Sequence, residues 1–435
     1  MPRLSFIAFI LLSLLALSLA YYAQSATSPL GPAPHLGFGL GLKIPLALSA
    51  FVAYTQAAIQ APFRSTQRTG YDAEPPHSVV DVDWDNADPT PPYTRRIIAV
   101  GDLHGDIENA VRVLQMAGVV DADNAWSGNV DVLVQTGDII DRGDDTIQLF
   151  EWFEELREQA RDVGGILLTH LGNHEMMNAI GDWRYVYPSE IDTFGSIAER
   201  QKALSTGWLG KAWTANYTIA SRLPLHSSLG PPNTDYPPPN GSPFAAANAG
   251  ALSHAAFSFV HGGLAPTYPN LTPFPSAINN IGASLLRKLR ARVPQPPPHP
   301  PNAYPGLPGN TSREEVRLYS GDGPLWYRGW AEEEETTICP QVDEVLKKTG
   351  TRRMVMGHTP DFDKIVSRCG GRVIIIDTGI SHAYGGKLSA LSIEYTLTPV
   401  RGGGKKEQEV IKALYADQED ELLLVDSRDL TGDLL

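Results

Sequence analysis

The sequence predicts an α/β (α+β) fold in which two β-sheets pack together with helices outside, and three patterns carry that prediction. Apolar runs and helix-like segments alternate between residues 95 and 171. The runs stop at glycines and hand over to polar residues, as parallel strands do where they present side chains at their carboxyl ends. From about residue 352 strand-like segments crowd together, which implies a second sheet.

The N-terminus stands apart from this pattern. Arg3 precedes an apolar run from Leu4 to Ala20, and Ser18-Leu19-Ala20 and Gln24-Ser25-Ala26 offer small residues for cleavage. Residues 1–26 therefore read as a secretory signal peptide or as an uncleaved anchor that would tie the chain to a membrane. Residues 27–94 read as a linker. Its weakly apolar stretch from Ile44 to Phe63 is interrupted by Pro45, Thr55, Gln56 and Gln60, and reads as a packing segment rather than a second span. Sequons at Asn216, Asn240, Asn270 and Asn310 agree with a secretory route, although Pro243 weakens the second. The expected location is the ER or vacuolar lumen, or the cell exterior. Cys339 and Cys369 could pair there or remain two free thiols.

The main domain is expected at 95–400. Strands are predicted at 96–101, 130–136 and 165–171, with helices at about 106–117 and 144–162 between them. Residues 176–250 break the alternation. They look helical to about 215, turn proline-rich at 230–243, and read as an insertion or cap. A strand at 256–260 and a helix at 276–292 follow, then a Pro-rich surface loop at 294–310. The acidic run Glu332 to Glu335 reads as a solvated helix start. A helix at about 337–349 leads to strands near 352–357, 364–368, 372–377 and 388–397. Residues 401–435 open with Arg-Gly-Gly-Gly, are charged, and read as a C-terminal tail.

With 435 residues the chain has ample length for a large core, and 42% hydrophobic and 19% charged residues are ordinary for a globular protein. The net charge of −14 argues against nucleic acid as a partner. It leaves phosphorylated substrates open, because arginines or metal ions can reverse the field inside a cleft.

Five apolar runs end in glycine-flanked residues of metal-ligand type. They are Gly101-Asp102-Leu103-His104-Gly105, Gly137-Asp138-Ile139-Ile140-Asp141-Arg142-Gly143, Gly172-Asn173-His174-Glu175, His261-Gly262-Gly263 and Gly357-His358. Any one alone is a turn aspartate or a satisfied core histidine; five in succession are not. Oxygen and imidazole ligands without thiolates suit Mn, Fe or Zn. Two such ions, about 3.5–4 Å apart, can share a carboxylate and polarise a phosphoryl group. Arginine matches phosphate oxygens with a forked donor, and histidine can protonate a leaving oxygen. The parts fit phosphoester hydrolysis.

Together the five motifs resemble the PPP family of metallophosphatases, within the calcineurin-like metallophosphoesterases, over residues 101–358 and on to about 398. The resemblance implies that fold and two divalent ions. It places Asp102 and His104 on the first metal, Asp138 between the two, and Asn173, His261 and His358 on the second. His174 would be the general acid, paired with Asp141, and Arg142 and Asn173 would hold phosphate. Glu175 would be a structural support.

Met176-Met177-Asn178, Gly181-Asp182-Trp183-Arg184-Tyr185-Val186 and Pro324-Leu325-Trp326-Tyr327-Arg328-Gly329 resemble the Shewanella-like, bacterial-type protein phosphatases, and that makes Arg328 the second phosphate arginine. Thr378 to Tyr384 stands where eukaryotic Ser/Thr phosphatases carry Ser-Ala-Pro-Asn-Tyr. Tyr384 there could approach substrate or simply pack, and His382 reads as an exposed loop histidine. His170 reads as a core histidine; His35, His77, His226, His254 and His299 have no partner motif. The expected activity is hydrolysis of phosphomonoesters, foremost on phosphorylated proteins (Ser/Thr or Tyr) or small phosphoesters, by in-line attack of a metal-bridging hydroxide. Dinucleoside polyphosphate or polyphosphate hydrolysis is the alternative enzyme reading, and a non-catalytic binding module the alternative from another class.

Overall fold

Strand β1 (Tyr93–Val100) sets the architecture, because its last four residues, Ile97 to Val100, are all buried. Ile97 and Ala99 join the core between two sheets, while Ile98 and Val100 join the core beneath the helices. Burial on both faces explains why the run is continuously apolar rather than alternating. The computed structural model describes residues 90–292, 305–401 and 403–431. The segments 1–26 and 44–63 and most of the linker lie outside them, as do residues 294–304 of the Pro-rich loop. Among the described residues no helix is long and apolar enough to cross a membrane.

Helix α1 (Ile107–Met116), strand β2 (Val132–Gln135), helix α2 (Thr146–Asp162) and strand β3 (Ile166–His170) follow β1, near their predicted limits. The three strands pair in parallel. Helices α3 (Asn173–Ile180), α4 (Pro188–Thr193), α5 (Ile197–Leu204) and α6 (Trp208–Asn216) come next. The remainder of 176–250 departs from the expected insertion. Strand β4 (Tyr217–Thr218) pairs with β3, and strand β5 (Ala220–Pro224), ahead of helix α7 (Ala245–Ala249), pairs with strand β6 (Ala256–Val260). Arg222 hides β5 from a hydropathy reading. Its guanidinium is buried and donates to Gly350 O at 3.1 Å and Asn248 Oδ1 at 2.9 Å.

Helices α8 (Ser276–Ala291), α9 (Arg313–Leu318), α10 (Gly329–Glu332) and α11 (Glu335–Thr349) lead to strands β7 (Arg353–Met356), β8 (Val366–Arg368), β9 (Val373–Ile375) and β10 (Ser389–Val400). Strands β11 (Gly404–Tyr415) and β12 (Glu421–Leu430) complete the chain order. The first sheet runs β12-β11-β10-β1-β2-β3-β4 and the second β5-β6-β7-β9-β8. Phe257, Phe259, Val355 and Ile374 of the second sheet meet Ile97, Ala99, Val132, Val134 and Ile393 of the first. Both sheets are mixed, but β1, β2 and β3 in one and β6, β7 and β9 in the other are parallel. Their carboxyl ends carry all five motifs. Cys339 of α11 and Cys369, just after β8, form a disulfide with Cα atoms 5.3 Å apart.

Residues 401–435 are not a tail, at least as far as Leu430. Strand β11 pairs with β10 along its whole length and buries Ile411 and Ala413 in the inter-sheet core. Its two glutamates misled the hydropathy pattern because they are buried and paired inside the fold. Glu407 is ion-paired with Arg352 at 2.8 Å and accepts from the Tyr395 hydroxyl at 2.9 Å, and Glu409 accepts from Arg353 at 3.0 Å. Ile411→Ala should therefore lower the unfolding free energy by about 2–5 kcal/mol, the range for a fully buried isoleucine. A denaturant titration reporting a loss below about 1 kcal/mol would show that this hairpin is peripheral.

Candidate metal centre and active site

The loops after β1 and β2 are laced together. The N–H groups of Leu103 and His104 both donate to Asp138 O at 3.0 Å, and Gly105 N–H donates to Ile139 O at 2.7 Å. Gln135 bridges the same turns, accepting from Gly137 N–H at 2.8 Å and donating to Gly137 O at 2.7 Å and Gly101 O at 3.3 Å. The β3–α3 turn joins them through Glu175, whose carboxylate accepts from Gly172, Asp138, Ile139 and Ile140 N–H at 2.7–3.3 Å. Glu175 thus touches backbone rather than a ligand position. Two glycines are required by close approach. A Cβ on Gly172 would lie 2.0 Å from Asp138 Oδ1, and one on Gly357 would lie 2.4 Å from Asp102 Oδ1.

These turns gather the six candidate ligands. His104 Nε2 lies 3.7 Å and His261 Nε2 3.3 Å from Asp138 Oδ2. Asn173 Oδ1 is 2.8 Å from His261 Nε2, and His358 N–H faces both Asp102 oxygens at 3.3 Å. His104 Nδ1 and His261 Nδ1 each face a backbone carbonyl at 3.0 Å, that of Ile140 and of Thr136. Donation from Nδ1 leaves the Nε2 lone pair free for a cation, the arrangement that metal-binding histidines need. His358 Nε2 is buried without a hydrogen-bond partner. Two groups, His104–Asp138–His174 and Asp138–His261–His358, each bring ligand atoms within 4.8 Å of one another. The donor set fits two divalent cations sharing Asp138.

The electrostatics agree with that fit. Burial, with His174 nearby, pushes His104 down to about 3, and burial beside His261 holds His358 well below the usual imidazole range. Burial, Asp377 and Asp138 push Asp102 well above the carboxylate range. Burial acts the same way on Asp138, but His261 and His174 outweigh it and hold that carboxyl well below. Neutral imidazoles and a crowd of carboxylates are the donors that bound cations would stabilise.

Beside the cluster sits a second constellation. His174 Nδ1 is 2.6 Å from Asp141 Oδ2, and His174 Nε2 is 3.3 Å from the Arg142 guanidinium. Burial lowers the His174 pKa, but Asp138 and Asp141 outweigh it and raise it above the ordinary value. Arg142 lies over the Tyr185 ring at 4.3 Å and the Tyr384 ring at 5.0 Å, so Tyr384 packs on the arginine. Arg328 donates to His358 O at 2.6 Å and Thr359 Oγ1 at 3.0 Å, which brings it to the His358 side of the cluster.

Some residues of the site were not singled out by sequence. Asp377 is buried, raises the Asp102 carboxyl by its charge, and is itself pushed up to about 6 by burial. Its signal was present, since Val373–Ile376 is one more apolar run ending in Asp-Thr-Gly. His382 is exposed as expected, yet it pairs with Asp106 through Nδ1. His170 is a core histidine, with Nδ1 2.8 Å from Gln135 O.

The pattern of the calcineurin-like phosphoesterase family matches residues 95–362. An uncharacterized protein of Schizosaccharomyces pombe is 35% identical over 311 residues, covering 69% of this chain and 78% of that one. Shewanella-like protein phosphatase 2 of Arabidopsis thaliana is 28% identical over 303 residues, covering 66% and 71%. Among solved structures, a cold-active protein tyrosine phosphatase superposes with a TM-score of 0.50 at 21% identity, covering 72% of this chain and 78% of that one, a likeness of fold. On the extent of the family match and the fold built around the strand-end cluster, the chain belongs to the calcineurin-like phosphoesterases.

Proposed function

We propose that this phosphoesterase is a protein phosphatase hydrolysing phosphomonoesters. The observation that carries the reading is the His174–Asp141 pair, which aims His174 Nε2 at the Arg142 guanidinium beside the ligand cluster. A proton donor, a phosphate fork and a cation site then meet at one point. The relative named as a Shewanella-like protein phosphatase supports protein as the substrate.

In this reading Asp102, His104 and Asp138 would hold one divalent ion, and Asp138, Asn173, His261 and His358 would hold the other. Bound there, Mn, Fe or Zn would supply a hydroxide nucleophile near neutral pH and would offset phosphoryl charge. Arg142, Arg328 and Asn173 hold the phosphoryl oxygens in line with attack. Asp141 Oδ2 accepts a hydrogen bond from His174 Nδ1–H, and its charge favours the imidazolium form, whose Nε2–H is the transferable proton. As the phosphorus–oxygen bond to the leaving group breaks, that proton passes to the departing oxygen.

We also infer passage through the secretory pathway. The Cys339–Cys369 disulfide suits an oxidising compartment, and the sequon residues Asn240 and Asn310 are exposed. Glycosidase treatment of protein from its native host should lower its mass; an unchanged mass would favour a cytosolic or organellar location.

Asp138→Asn and His174→Asn should each cut turnover of a phosphopeptide by about 10²-fold or more, the scale of a lost acid or metal bridge. Wild-type rates from either variant would sink the mechanism, and diadenosine polyphosphates cleaved faster than phosphopeptides would sink the protein substrate. Metal analysis provides a separate check. Wild-type protein should carry about two ions per chain and His358→Ala about one, and Mn added to stripped protein at 100 times its Kd should stabilise it by about 2.7 kcal/mol per site. Equal metal content in both proteins would remove His358 from the site.

A further inference from the structure

Two short helices beyond the ligand cluster bury charge where helices ordinarily bury hydrocarbon. The one buried residue of α4 is Glu190, and α5 buries Arg200 beside Leu204. Glu190 and Arg200 are both fully buried. Replacing a buried ion pair with apolar side chains of similar size is often neutral or stabilising, so stability alone does not account for this one.

The pair lies directly behind Asp141. Arg200 Nη2 is 2.8 Å from Glu190 Oε1 and 3.7 Å from Asp141 Oδ1. Arg200 Nη1 donates to Asn178 Oδ1 at 2.8 Å. Asn178 Nδ2 in turn donates at 2.9 Å to Asp141 Oδ1 and at 2.9 Å to His174 O. Thr146 closes the far side, its hydroxyl donating to Glu190 Oε1 at 2.9 Å. Trp183 covers the guanidinium, with its ring centroid 4.4 Å from Cζ and its Nε1 donating to Asn178 O at 3.2 Å. These contacts converge on Oδ1, the Asp141 oxygen that His174 does not use.

Resting on the reading of His174 as proton donor, we propose that Arg200 is a positioning residue for the reaction. Acting with Asn178, it fixes the Asp141 carboxylate so that Oδ2 stays on His174 Nδ1 and Nε2 stays turned toward the leaving oxygen. Asp141 could otherwise rotate about its side-chain torsions, because Oδ2 alone does not define the plane of the carboxylate. A hydrogen-bonded donor and a cation on Oδ1 remove that freedom. The segment between α3 and β4 thereby reaches the chemistry from behind, without touching substrate.

A leaving group that departs without a proton should barely sense this network, while one that needs a proton should depend on it. The test compares 4-nitrophenyl phosphate with phenyl phosphate on the full chain loaded with Mn. Arg200→Met alone strands Glu190 in the interior, so Arg200→Met/Glu190→Gln, which removes both charges at similar volume, is measured beside it, with Asn178→Leu as an independent break. In the double variant and in Asn178→Leu, kcat should fall about 30-fold on phenyl phosphate and about 3-fold on 4-nitrophenyl phosphate, with KM changed less than about twofold, a part of the range for general acid catalysis. Equal losses on the two substrates would make the network merely structural, and no loss on either would make it irrelevant; both outcomes overturn the proposal. His174→Asn serves as reference. Full phenyl phosphate turnover by that variant would overturn the general-acid reading and this inference with it. A strong His174→Asn defect beside an unchanged substrate ratio in the network variants would overturn this inference alone.

Discussion

The carboxylate of Glu175 is the contact on which the site's geometry depends. It accepts four backbone N–H groups, from Gly172 in the β3–α3 turn and from Asp138, Ile139 and Ile140 in the loop after β2. One side chain therefore locks the loop that carries Asp138, Asp141 and Arg142 onto the turn that carries Asn173 and His174. Burial and the nearby Asp138 push Glu175 up to about 7. Each buried N–H left without an acceptor costs on the order of 1–3 kcal/mol, so no neutral apolar residue can substitute for it. Sequence marks Glu175 as part of a Gly-Asn-His-Glu motif, but only the three-dimensional lacing explains why an acid stands there.

That lacing is needed because the backbone around the site is strained. His104, Asp138, Asp141, Arg142 and His358 all have φ between 43° and 72°. Left-handed conformation in such residues costs on the order of 1 kcal/mol each and persists only where the surroundings enforce it. At these strand ends it turns each side chain back toward the neighbouring strand end, so that ligands from two sheets meet. The strain is spread over the same loops that Glu175 and Gln135 hold, and the two features make sense only together.

The strand ends were legible in sequence because their chemistry is local. An apolar run, a glycine and a ligand-type residue are adjacent in the chain, and the sheet does the rest. Asp377 obeys the same rule and could have been found by it. What stayed hidden depends on distant pairing. Arg222 in β5 and Glu407 and Glu409 in β11 look like surface charge until their buried partners Asn248, Arg352 and Arg353 are placed beside them. Glu190 and Arg200 are the same case at the site itself, since nothing in residues 188–204 indicates that they end behind Asp141. Hydropathy reads each residue against water, and these residues are solvated by protein instead.

The same reasoning resolves how so acidic a chain can attract phosphate. The net charge of −14 belongs to the whole molecule, but a phosphoryl group meets only the field inside the cleft. There the carboxylates of Asp102, Asp138 and Asp377 crowd together, and the two divalent ions with which the family works would carry more charge than those three acids. Asp141 is matched separately, by His174 on one oxygen and by Arg200 and Asn178 on the other. Arg142 beside His174 and Arg328 beside His358 then remain as the positive charge that, in the proposed mechanism, would meet the substrate's oxygens. In the proposed mechanism, matching each acid to its own positive charge is what would leave those two arginines to act on phosphate.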